Sequence, residues 1–79
     1  MIVNIYSIRD ELAETYGNLF LVQEKVAMRQ FVYMQKEMEE PDRKDRVIYL
    51  MGTYNIETGE IKTTHPKAIF RLDKETSNG

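Results

Sequence analysis

Lys25, Arg29 and Lys36 are spaced for one kind of chemistry. Turned at roughly 100° per residue, the three fall within about 40° of one another on a helix. A stripe of cations on one helix face suits the phosphates of a nucleic acid. Val32 lies within the stripe and Tyr33 at its margin. The competing reading is an ordinary solvated face, the default for an amphipathic helix. Lys25 and Arg29 are also like charges at i, i+4, which mildly destabilises the helix carrying them. A second basic cluster is Arg43, Lys44 and Arg46, diluted by Asp42 and Asp45 and extended by Lys67, Arg71 and Lys74 if the last strand lies nearby. Mixed charge of this kind is a weak signal, more often a solvated loop than a binding site.

Other residue types exclude more than they indicate. His65 is the single histidine, beside Pro66, and no sequence pattern supplies it with a nucleophile or an orienting acid. The acidic residues are scattered without metal-ligand spacing, and the absence of cysteine removes thiolate sites and disulfides. Glu57-Thr58-Gly59-Glu60 lacks the Lys-Ser/Thr that follows a phosphate-binding loop and reads as a hairpin turn. No catalytic constellation, metal site or cofactor site is therefore expected, and a hydrolase or nuclease is disfavoured. Tyr6, Tyr49 and Tyr54 sit on expected strands, where aromatics beside arginine stack single-stranded bases. Tyr49 and Tyr54 differ in parity, however, and cannot share a face of a regular strand. Aromatics in a small domain more often fill a core or a dimer interface.

The elements that would carry these residues can be read from periodicity. Ile2 to Ile8 alternates as a strand, with Ile2, Asn4, Tyr6 and Ile8 on one face and Val3, Ile5 and Ser7 on the other. Arg9 to Asn18 reads as a polar connection ending in a Gly17-Asn18 turn signal. Leu19 to Val22 is either a short strand or an apolar lead-in. Gln23 to Glu40 is the one long helix, with Ala27, Phe31, Met34 and Met38 on its apolar stripe and Pro41 as its stop. Arg46 to Asn55 is apolar on both faces and belongs at the sheet centre. A loop at 56–59 leads to a return strand at Glu60 to Thr63. Pro66 interrupts, and Ala68 to Leu72 forms an edge strand. The expected fold is α+β: a β-α-β-β(-β) domain over residues 1–72, with the helix on a mixed three- to four-stranded sheet. The first strand, the helix and Arg46–Asn55 suggest a βαβ crossover, right-handed if the two strands are parallel neighbours. Residues 73–79 are expected to be a disordered tail.

The order of pieces along the chain carries a resemblance. Ile5-Tyr6-Ser7-Ile8-Arg9-Asp10 is followed by Ala13-Glu14-Thr15-Tyr16-Gly17, then Leu19-Phe20 and Val26-Ala27-Met28-Arg29-Gln30-Phe31. Tyr49-Leu50-Met51-Gly52-Thr53-Tyr54-Asn55 continues to Ile61, and Pro66-Lys67-Ala68-Ile69 closes the series. Over roughly residues 4 to 70 the chain resembles the small nonstructural, DNA-binding proteins of gokushoviruses, the single-stranded DNA phages of the Microviridae. It departs from that pattern at Val22-Gln23-Glu24-Lys25, where an Asn or Asp cap is more usual, and in its acidic helix end. The resemblance implies a non-enzymatic protein in the cytoplasm of the infected bacterial host. Its work would lie in single-stranded DNA synthesis or the switch from replication to packaging. Arg9 and Arg29 carry over as DNA contacts.

Bulk properties set the remaining bounds. Seventy-nine residues make one domain with a marginal core, for which pairing with a second copy is a common remedy. A formal net charge of −2 argues against coating nucleic acid by bulk charge and leaves only a local patch. The start, Met1-Ile2-Val3-Asn4-Ile5, is not a signal peptide, and no apolar run approaches the roughly 20 residues that span a bilayer. The expected partners are single-stranded DNA and a second copy of the chain, with a phage or host replication protein next in line. The rival expectation is a protein-interaction module that docks a phage replication or capsid protein, or a host factor, on its open sheet.

Overall fold

The computed structural model describes residues 1–74. Strand β1 (Ile2–Asp10) turns into β2 (Thr15–Val22), and α1 (Glu24–Glu37) follows directly. A single helical turn, α2 (Glu40–Arg43), leads to β3 (Arg46–Asn55) and β4 (Ile61–Arg71). The sheet order is β2-β1-β3-β4, and every neighbouring pair is antiparallel. The architecture is α+β, as expected, but the sheet is not mixed.

The βαβ crossover suggested from the first strand to Arg46–Asn55 is corrected by this register. Tyr6 lies opposite Leu50 and Ile8 opposite Ile48 in an antiparallel ladder. The error begins at the supposed polar connection after Ile8. Asp10 closes a tight turn there: its Oδ1 accepts the backbone N–H groups of Leu12 and Ala13, and Glu14 takes a left-handed φ of 60°. The chain then returns as β2 through Gly17-Asn18 without turning. The helix crossover therefore joins β2 to β3. These strands run parallel to each other on either side of β1.

The helix is also shorter than expected. It stops at Glu37, and Glu39-Glu40-Pro41 opens α2 instead, with Pro41 in the first turn where its missing N–H costs nothing. Pro41 thus starts a helix and does not end one. Strand β4 runs unbroken through Pro66, which an edge strand tolerates.

The α1 stripe packs on one face of the sheet. Tyr6, Ala27, Phe31, Ile48 and Leu72 form the buried core, with Met34, Met38, Phe20 and Phe70 against it. Phe31 meets the Tyr6 ring edge-on at 4.9 Å between centroids, and the Phe70 ring, tilted, at 5.6 Å. Burying one such ring contributes roughly 1.5–3 kcal/mol. Gln35 shares the buried face, and its Nε2 donates to the carbonyls of Leu72 and Lys74, tying down the end of β4. Asp73 and Lys74 are therefore anchored, while 75–79, the remainder of the expected tail, lie outside the described residues.

Among the described residues no element covers the opposite sheet face. Val3, Ile5 and Val47 are nevertheless buried there by their own strand neighbours.

Candidate nucleic-acid interface

Helix α1 positions the first group of candidates. With Ala27 and Phe31 fixed against the sheet, Lys25, Arg29 and Lys36 point away from it and are exposed. No ion pair among the described residues involves them. Arg29 and Lys36 line a shallow hollow with Met28, Val32 and Tyr33. Met28 is 58% exposed and Tyr33 63% exposed, so an aromatic ring and an apolar floor lie between free cations. Lys25 to Lys36 spans about 16 Å along the axis.

The sheet arginines have a different setting. The Arg9 guanidinium donates to Glu11 Oε2 at 2.7 Å and lies 5.4 Å from the centre of the Tyr16 ring. Tyr16 meets Tyr49 edge-on at 5.4 Å, and the Tyr49 hydroxyl donates to the same Glu11 oxygen at 3.1 Å. Arg71 forms a two-pronged pair with Asp73 at 3.1 and 3.0 Å. Arg46 lies 3.3 Å from Asp10 and donates to the Lys44 carbonyl.

Within these contacts Glu11, Asp10 and Tyr49 titrate away from their ordinary values. The Arg9 hydrogen bond, helped by that of Tyr49, holds the Glu11 carboxyl below its ordinary value against partial burial. The Ala13 backbone N–H leads the same downward shift at Asp10, with Arg46 adding to it. Burial, followed by the Glu11 hydrogen bond, raises the Tyr49 hydroxyl. Each acid is thus engaged by the arginine beside it, and a phosphate at Arg9, Arg46 or Arg71 has a carboxylate to displace.

The last candidates lie elsewhere. Arg43 is half-buried in α2, with its Nε enclosed and unpartnered, and exposed Lys44 caps that turn. Both border a hollow shared with Glu40, Pro41 and Asp73. Lys67 is exposed on edge strand β4, opposite Leu50. The fold therefore gathers Lys25, Arg29 and Lys36 and leaves the other six dispersed or neutralised.

Among the described residues no group of three His, Cys, Asp or Glu is placed to hold a metal ion. Among the described residues no helix is long and apolar enough to cross a membrane. The profile of the Phage ORF5 protein family matches residues 3–74. The chain belongs to that family. It is a phage protein, and the match runs from β1 through the end of β4 to Lys74. No curated protein and no solved structure matches it.

In the sequence of this ORF5 chain Tyr16 stands out only within the Ala13–Gly17 motif, and neither it nor Glu11 reads as part of a site. Both lay in the stretch read as a polar connection. A usable signal was present, because Arg9 and Glu11, like Arg71 and Asp73, are two residues apart and share a face in extended chain.

Proposed function

We propose that this phage protein binds single-stranded DNA along the outer face of α1, without catalysing a reaction. Lys25, Arg29 and Lys36 contact phosphates and Tyr33 offers a ring for base stacking. The observation that carries the reading is the contrast in charge availability. These three cations have no acid partner among the described residues, whereas Arg9, Arg46 and Arg71 are each paired. Stacking on an exposed ring is worth ~1–3 kcal/mol per base and tolerates any sequence. On this reading the activity belongs to the infected bacterial cytoplasm, in single-stranded DNA synthesis or the switch to packaging, and the resemblance to gokushovirus nonstructural proteins supports it.

The test is fluorescence anisotropy of a labelled single-stranded oligonucleotide across a salt series, with duplex as competitor. The wild type should bind the single strand preferentially and lose affinity as salt rises. In Arg29→Glu/Lys36→Glu, the slope of log affinity against log salt should fall by about 1.4, from ~0.7 per phosphate contact on a single strand. Absence of binding at low salt, or an unchanged slope in the folded double variant, overturns the proposal.

A further inference from the structure

We infer that the open sheet face is the contact between two copies of this chain, packed face to face about a two-fold axis. The face is apolar at its surface. Tyr16 is 43%, Leu19 63%, Leu21 51% and Ile61 59% exposed. The register puts them on one side of the sheet: Leu19 lies opposite Ser7, Leu21 opposite Ile5, and Ile61 opposite Tyr54, whose own partner Val3 shares that face. Shifts in the ladder at Met51 also bring Tyr49 and Tyr54 to this side, because their partners Ser7 and Val3 share a face of β1. The parity that separates them in a regular strand does not hold in this one.

Charge selects the occupant. A nucleic acid meets no free guanidinium here, since Arg9 and Arg71 are held by Glu11 and Asp73. The chain carries a net −2, so two copies repel each other except where a face is internally neutral. This face is neutral, and a two-fold contact requires a patch that complements itself. An unlike partner would normally bring opposite charge to a charged patch, and there is none to meet.

Size agrees. The molecule measures 39 × 28 × 16 Å, and its four strands, ~4.8 Å apart and rising ~3.3 Å per residue, make a face of roughly 600 Å² in plan, the same order as a stable interface. Standard interfaces bury ~800 Å² per partner. The shortest dimension fits one helix layer on one sheet. Face-to-face sheets packed ~10 Å apart would complete a helix–sheet–sheet–helix sandwich. Tyr49 is already fixed by Glu11 and by the Tyr16 ring, which limits the side-chain ordering lost on association.

The face lies on the far side of the sheet from α1, so this inference does not rest on DNA binding. It is tested by light-scattering mass measured over a concentration series. The wild type should weigh twice the 9.4 kDa chain at micromolar concentration. Leu19→Ser/Leu21→Ser should raise the dissociation constant about a hundredfold, because each chain loses two apolar side chains from the contact. Both leucines are exposed in the single chain, so the variant should keep the wild-type circular dichroism. Arg29→Glu/Lys36→Glu should leave the mass unchanged. A wild type at 9.4 kDa throughout the series overturns the inference, as does a dimer that survives in the folded double variant. If that variant fails to fold, the methyl resonances of wild-type Leu19 and Leu21 decide. They should shift with protein concentration while the Met28 methyl stays fixed, and the reverse pattern overturns the proposal.

Discussion

The outer face of α1 and the open face of the sheet both combine arginine with tyrosine, yet they present different chemistry. On the helix, Arg29 and Lys36 flank Tyr33 without an acid partner among the described residues. On the sheet, Arg9 lies against Tyr16 but its charge is taken by Glu11. Geometry explains the difference. Residues two apart in extended chain share a face, so Arg9 meets Glu11 and Arg71 meets Asp73, each acid lying just past the end of its strand. The helix period carries Glu24 and Glu37 away from the stripe formed by Lys25, Arg29 and Lys36. A cation is available to a ligand only when the fold gives it no closer acid.

The largest expected effect comes from removing the layer that separates the two faces. Phe31→Ala should cost ~3–5 kcal/mol, close to the whole stability of a domain this small, ~4–12 kcal/mol. Urea denaturation would show it, and both faces should be lost together. Next comes Gly52→Ala, where the added Cβ meets the Lys62 carbonyl oxygen at 2.2 Å. An obstruction by backbone should cost about 1–3 kcal/mol and disturb the irregular stretch that brings Tyr49 and Tyr54 to one face. The sheet face should then lose self-association while α1 keeps its DNA affinity.

Tyr49→Phe is a finer probe. It deletes the hydroxyl bond to Glu11 and should lower stability by ~1 kcal/mol, with the DNA salt slope unchanged. Acid should act on the same cluster. Glu11 and Asp10 titrate lower in the folded chain than in the unfolded one. The stability they supply is therefore present above the ordinary carboxylate value of ~4 and is lost as pH falls through their depressed values. Thermal melts across this range should decline in the wild type. The decline should be shallower in Glu11→Gln, which no longer titrates at that position.

Much of the fold was legible where burial enforces periodicity. Alternation around Ile48 and Leu50 placed the central strand at Arg46–Asn55, and the Ala27/Phe31/Met34/Met38 stripe located the buried side of α1. The first half of strand β2 was hidden, and Leu19–Val22 left as either strand or lead-in, because β2 is an edge strand, mostly exposed, and contains Gly17-Asn18, which reads as a turn. Missing it misdirected the crossover and with it the strand directions. Gln35 was overlooked because a polar residue on an apolar stripe looks misplaced until its backbone partners at Leu72 and Lys74 are visible. The helix cations were legible from spacing alone. The neutralisation of Arg46 by Asp10 was not, since it depends on two strands meeting.

The most direct test of the division between the two faces is a titration of isotopically labelled protein with a short single-stranded oligonucleotide, followed by amide chemical shifts. Shifts concentrated over residues 25–36, with those of Arg9, Tyr16, Leu19 and Tyr49 unmoved, are the predicted result. Shifts concentrated on the sheet residues, with α1 silent, would contradict it and move the DNA site to the open face.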